Sequence, residues 1–365
     1  MTPRAGPVVD RTVLLVAVLV LVVVLAVLAV VLLTGRWWQR RAAARRAARI
    51  APGRPALVAL AAGDGDPTLL DRLATLPRSQ WRALEPVVVS MLGKLRGDAR
   101  GVLVGLLERR GAVDRALRDA RRRRPAVRAR AAHLLGLVGG PGATARLVVL
   151  LADRDADVRA VAARSLGRLG DPSAASPLVR ALTGTSAGVP HQAVVPALAR
   201  IGPPARTALL AAADHPDPTV RARVVEALGL VGAVDAAPRL VRALESDGAA
   251  DVRLRAARAL GRLGVPAAVD PLLAATGGHE PTALRVTAAQ ALGVLGARRA
   301  VPVLAGLVAD PHHWVAHTAA AALVAVGPDG VAALHELGRA ADRCGVAAEH
   351  AREALTAAPG AGAAA

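Results

Sequence analysis

A glycine returns at nearly constant spacing through the second half of the chain: Gly139, Gly170, Gly202, Gly232, Gly264, Gly296 and Gly327 stand 31, 32, 30, 32, 32 and 31 residues apart. Seven recurrences at one period mark a tandem repeat. A unit of that length cannot bury its own apolar face, so the units must stack on one another. Before each glycine the apolar residues fall at i, i+4 and i+8, as in Val158, Ala162 and Leu166, which is one face of a helix. The glycine ends that helix because it alone adopts the left-handed conformation without strain. Pro177, Pro238, Pro271 and Pro302 follow six or seven residues later. Proline lacks the N–H and is tolerated in a first helical turn, so a second helix starts there. It continues through Leu178 with Leu182, Leu240 with Leu244, and Leu304 with Leu307 or Val308. The pattern predicts an all-α fold, an α-solenoid of about seven helical hairpins over residues 125–340. The paired glycines of each unit, such as Gly167 and Gly170, read as punctuation between helices.

The units read D-x-x-V-R-x-x-A-A-x-A-L-G-x-L-G, with the closest copies at Asp155 to Gly170, Asp217 to Gly232 and Ala250 to Gly264. They resemble the HEAT-repeat family, in particular the short repeats of phycobilisome-lyase-like proteins. Two units depart from the pattern. His191 takes the arginine position in the third, where Pro190 and Pro196 also interrupt the helix, and Ala316 takes it in the seventh. A ladder of Asp and Arg along the turns is therefore incomplete. Residues 56–124 lack the signature but carry helical apolar spacing, including Leu69, Leu70 and Leu73, then Val88, Met91, Leu92 and Leu95. Terminal units of such arrays are atypical because one face meets solvent, so these residues are expected to form a helical cap. Residues 341–365 are expected to hold a last helix and a disordered Ala/Gly-rich tail.

Near the start, Val13 to Leu33 contains only Val, Leu and Ala. As a helix it would be about 31 Å long, the thickness of a bilayer's hydrocarbon core, which predicts one transmembrane span after a short tail of residues 1–12. Only Arg4 and Arg11 precede it, whereas Arg36, Arg40, Arg41, Arg45, Arg46, Arg49 and Arg54 follow. Basic residues stay on the cytoplasmic side, so the expectation is a single-pass protein of the cell membrane with its repeats in the cytoplasm. Residues 34–55 then form an Arg-rich juxtamembrane linker. Trp37 and Trp38, with Arg36, Arg40, Arg41, Arg45 and Arg46, would meet the membrane interface.

Lys94 is the single lysine, and it lies outside any Gly-x-x-x-x-Gly-Lys-Ser/Thr context. A P-loop NTPase is excluded. The net charge of +19 invites nucleic acid, but residues 1–63 carry +8, residues 64–124 carry +6 and residues 125–365 only +5. With four tryptophans and no Phe or Tyr, the chain also lacks the aromatic platforms that single-strand binding uses, and nucleic acid is disfavoured as a partner. His312, His313 and His317 sit close together but without the acidic partner of a His-Glu-x-x-His zinc motif. Cys344 with His350 reads as packing. HEAT-repeat deoxyhypusine hydroxylases hold iron with His-Glu doublets on equivalent helices; His279-Glu280 and His335-Glu336 are not at equivalent positions.

No catalytic residue, cofactor or metal ligand is assigned from the sequence. The expected function is a membrane-anchored scaffold or adaptor that binds a protein partner, the alternative being an enzyme of the HEAT-like lyase or metal-dependent hydroxylase type. On the second helices, Arg180, Arg239 and Arg242 are the residues placed to meet an acidic partner surface.

Overall fold

The computed structural model describes residues 47–62, 66–184, 188–340 and 346–357, with scattered positions between 19 and 45. The described elements are helical, and none of the described residues lies in a strand. Among the described residues no helix is long and apolar enough to cross a membrane. The transmembrane span at 13–33, and with it the single-pass, cytoplasm-facing placement, is corrected on that finding. A span requires an unbroken apolar helix of about 20 residues. Of that run only Leu19, Leu25, Val27, Leu28 and Val30 to Leu33 are described, each helical and exposed; the remainder lies outside the described residues.

The chain divides into two compact units, Met1–Gly111 and Ala112–Ala365. The first contains α1 (Arg54–Ala61), α2 (Pro67–Ala74), α3 (Arg78–Leu92) and α4 (Asp98–Arg109). Asp66 caps α2 by accepting the Thr68 N–H at 2.8 Å, satisfying a donor that has no partner within the helix. Leu57, Leu60, Leu73, Leu84, Val88 and Leu103 are buried at its centre. Trp81 is buried with them, and the Arg110 guanidinium lies 4.6 Å from its ring centroid.

The second unit begins with α5 (Ala112–Asp119) and runs on as hairpins. Their first helices are α6 (Pro125–Val138), α8 (Ala156–Leu169), α10 (His191–Ile201), α12 (Pro218–Val231), α14 (Ala250–Leu263), α16 (Thr282–Val294) and α18 (His313–Val326). The second helices are α7 (Ala143–Leu150), α9 (Ala175–Thr183), α11 (Arg206–Ala211), α13 (Ala237–Ser246), α15 (Val269–Ala274), α17 (Val301–Leu307) and α19 (Pro328–Ala340), and α20 (Val346–Ala357) follows. Each first helix packs on the next, and from α8 onward each also packs on the second helix of the hairpin before it. One continuous core results, in which Val158, Ala162, Leu166, Leu178 and Leu182 are buried, as are their counterparts in later units. Val308 rather than Leu307 completes the Leu304 pair, being fully buried.

The closing glycines all have positive φ, from 60° at Gly296 to 105° at Gly327, a region that L side chains avoid. From the second hairpin to the sixth, a short 3-10 turn precedes the second helix, for example Pro172–Ala174 and Pro266–Ala268. The proline of the sequence pattern thus lies in the first turn of the helix proper.

The earlier glycine of each pair has a different job. Gly167 lies inside α8, and a Cβ built on it would sit 2.4 Å from the Ala197 Cα of α10. The same holds for Gly229 against the Ala259 Cβ at 2.6 Å, Gly261 against the Ala291 Cβ at 2.7 Å and Gly293 against the Ala322 Cα at 2.8 Å. Gly136 meets Ser165 in the same way, at 2.4 Å. These glycines are contact points between successive first helices, not punctuation. Their missing side chain sets how closely the repeats stack. In the third hairpin Ala199 takes this place, and α10, with Pro196 inside it, is 11 residues long where α8 and α12 are 14.

Candidate functional site

The arginine that five of the seven repeats carry, the fourth residue of the first helix, reaches back over the preceding turn. Arg128 donates from Nη1 to the carbonyls of Arg122 and Arg123 at 3.0 and 2.6 Å. Its Nε and Nη2 donate to the two Asp153 oxygens of the next turn, both at 2.7 Å. Arg221 repeats the arrangement: Nη1 binds the carbonyls of His215 and Pro216, and Nε and Nη2 bind Asp247 at 2.8 and 2.9 Å. Arg253 pairs with Glu280, and Arg285 with Asp310. A guanidinium offers two parallel N–H bonds to a carboxylate, which suits it to a buried rung between repeats.

The pairing holds these carboxyls below the ordinary carboxylate range. For Asp247 the hydrogen bond from Arg221 is the main cause. For Asp153 and Asp310 burial is the largest influence and opposes ionisation. The hydrogen bonds from Arg128 or Arg285 and from a backbone N–H, with the arginine charge, outweigh it together.

Arg159 is the arginine of the second hairpin. It is 7% exposed and sits as Arg128 and Arg221 do: its Nη1 donates to the carbonyls of Asp153 and Arg154, six and five residues earlier. Among the described residues, Nη2 reaches only the Gly188 carbonyl, at 3.3 Å, and the buried Nε has no partner. Among the described residues no carboxylate pairs with it. A cavity of about 440 Å3 adjoins it, lined by Asp153, Pro177, Arg180, Ala181, Gly184 and Gly188 among others.

Of the three arginines marked on second helices, Arg180 is exposed on α9 and lines this cavity. Arg242 is exposed on α13 and lines a smaller one of about 210 Å3 with Arg221, Asp247 and Ser246. Arg239 lies in that same cavity but is engaged, with Nη2 2.6 Å from Asp214 and Nη1 on the Leu210 carbonyl. The structure therefore leaves Arg180 and Arg242 facing solvent and commits Arg239 to an internal pair.

The residues marked for a membrane interface fall in the first unit. Arg36, Trp37, Trp38, Arg41 and Arg45 are described and exposed, with the Arg41 guanidinium 4.2 Å from the Trp37 ring; Arg40 and Arg46 lie outside the described residues. Cys344 also lies outside them. The histidines show a contact that spacing alone does not reveal. His350 of α20 is buried and packs edge-on to His313 at 4.8 Å between ring centroids, while His313 and His317 stack at 5.9 Å. Among the described residues no group of three or more His, Cys, Asp or Glu is arranged to hold a metal ion. Glu280 of the His279-Glu280 doublet is taken up by Arg253 at 2.5 Å, and His335 and Glu336 are exposed on α19.

The model for HEAT repeats matches residues 115–199, 189–255, 206–278, 239–325 and 269–356. None of the curated proteins compared matches the chain. Among solved structures, importin beta is similar over 78% of this chain and 48% of its own, at 12% identity and a TM-score of 0.51, a likeness of fold. The complex of CpcE and CpcF of phycocyanin lyase from Nostoc sp. PCC7120 covers 68% of this chain and 94% of its own, at 23% identity and a TM-score of 0.35. Human deoxyhypusine hydroxylase covers 74% and 97%, at 23% identity and 0.29. The last two are too loose to bear on function.

Proposed function

Since the chain belongs to the HEAT-repeat family, with the match running from residue 115 to residue 356, we propose that it is a scaffold or adaptor that binds a protein partner along its second helices. The observation that supports this reading is a pair of cavities beside second helices, one with the exposed Arg180 at it and the other with the exposed Arg242. Stacked hairpins present an extended surface without any rearrangement of their core, so binding there costs little ordering of the scaffold. Exposed arginines favour an acidic partner and speed its encounter.

Capture of partners from the native cell extract by the full chain tests the reading, with Arg180→Glu and Arg242→Glu together as the variant. The expected outcome is loss of the captured protein, and retention at wild-type yield refutes a role for this face. The enzymatic alternative has less support: the Glu280 carboxylate that a metal-binding doublet would use is already paired with Arg253. Metal analysis and an absorbance scan of the purified chain check it directly.

A further inference from the structure

We propose that Arg159 is a receptor for a carboxylate side chain, and that an aspartate or glutamate of the protein partner supplies the rung that the second hairpin lacks. The inference rests on the scaffold reading for the identity of the ligand, and on the ladder for the chemistry.

Arg128, Arg159 and Arg221 share one pose, each with Nη1 fixed by the carbonyls six and five residues before it. In Arg128 and Arg221 the Nε and Nη2 edge then holds an aspartate bidentately. At Arg159 the edge is presented in the same way, but the register position of the aspartate is glycine. Gly184 stands 25 residues beyond Arg159, as Asp153 stands 25 beyond Arg128. Its backbone is that of Asp247, with φ −70° and ψ 137° against −68° and 130°. Each also donates its N–H to the carbonyl four residues earlier. The backbone is placed for a carboxylate and the side chain is missing.

A buried guanidinium without a counter-charge is costly, and neutral carbonyls offset only part of that cost. Neither Thr185, Ser186 nor Ala187 carries an acid. Asp153 lines the cavity, but both its oxygens are held by Arg128. Where glycine replaces aspartate, the cavity beside Gly184 and Gly188 leads to Arg159 and carries Arg180 at its side. An entering carboxylate takes Nε and displaces the weak Gly188 contact from Nη2. Two arginines in the same pose choose carboxylates, so the occupant is an acidic side chain of the partner that lies along the second helices.

The test compares a fluorescent peptide of alternating Asp and Gly with its Asn counterpart, using the full chain, wild type and Gly184→Asp. A Cβ on Gly184 would lie 3.2 Å from the Arg180 carbonyl, a contact that needs a shift of a few tenths of an ångström. The variant should complete the rung internally. Its expected signature is a Tm higher by about 2–4 °C together with a loss of Asp-peptide affinity of about tenfold. Gly248→Asp, at an open surface position, changes the net charge equally and should leave binding unchanged.

Equal binding of the Asp and Asn peptides by wild type overturns the proposal. So does a folded Gly184→Asp that binds the Asp peptide as wild type does, or a response to inorganic phosphate with none to the peptide. If the Arg180 and Arg242 reversals leave partner capture intact while Gly184→Asp behaves as expected, the scaffold face is wrong and the Arg159 receptor stands. The opposite pattern removes the receptor alone.

Discussion

Changing Gly167 to alanine sets two effects of opposite sign against each other. In a helix interior glycine is less stable than alanine by about 0.5–1 kcal/mol, so the substitution is favourable wherever there is room. At Gly167 there is none: the new methyl would lie 2.4 Å from the Ala197 Cα and 2.7 Å from its Cβ. Carbon atoms pack best at about 3.5–4.0 Å, and the obstacle is backbone, which cannot rotate away. Helices α8 and α10 must part by about 1 Å, giving up dispersion contacts along their length. Overpacking of this kind costs about 1–3 kcal/mol, which exceeds the propensity gain over most of that range. Gly306 in α17 supplies the control, since a Cβ there meets nothing within 4 Å. Gly306→Ala should be neutral or stabilising by up to about 1 kcal/mol. The difference between the two variants isolates the packing cost, about 1–3 kcal/mol. In a unit of this size each kcal/mol moves Tm by about 2–4 °C, which far-ultraviolet circular dichroism resolves. A Gly167→Ala protein melting at or above Gly306→Ala would refute the assignment of this glycine to the contact between repeats.

The ladder makes further predictions. Asp153→Ala leaves the Arg128 guanidinium buried with only its two carbonyls; because both side chains of the pair are less than a tenth exposed, the loss should be about 3 kcal/mol in urea unfolding. Asp71→Ala, which breaks the exposed pair with Arg109, should change stability by no more than about 1 kcal/mol, and a loss equal to that of Asp153→Ala would show that burial is not what matters. The pH dependence follows in sign from the lowered folded-state values of Asp153, Asp247, Glu280 and Asp310. These carboxylates add stability above their unfolded-state values. That stability is lost as pH falls from there through the lower folded values. Urea midpoints should therefore hold near neutrality and fall below about pH 4, and a flat profile down to pH 3 would contradict the pairing.

What the sequence made legible was the part governed by local rules. The closing glycines, the apolar face of Val158, Ala162 and Leu166, and the proline-started second helices each follow from backbone or periodicity. Gly167 and its counterparts were misread because they recur with the same period as the closing glycines, three residues away. A glycine that costs stability in mid-helix in five repeats requires a packing reason, and that signal was available. The partners of the ladder were harder to see. Their separation from the arginine varies between 25 and 27 residues and the acid changes from Asp to Glu, so no fixed motif records it. Arg239 looked free because its partner Asp214 lies on the preceding turn. The contact of His350 with His313 depends on how α20 folds back on α18, which no local pattern encodes.

Two kinds of break occur in the ladder, and their consequences differ. At His191 and Ala316 the arginine itself is replaced, so the cation and the need for its partner disappear together. The core continues through such a position because Leu198 and Leu323, on the same helices, remain fully buried. At Gly184 the acid is replaced and the cation stays, buried to 7% exposure with an unpartnered Nε. Only this second kind leaves unspent binding energy at the surface of the stack, since a guanidinium already fixed by two carbonyls loses little further freedom on pairing. Among the described residues, the other ladder arginines each hold an acid of the chain, and the unit formed by α8 and α9 is the one that we propose is completed from outside.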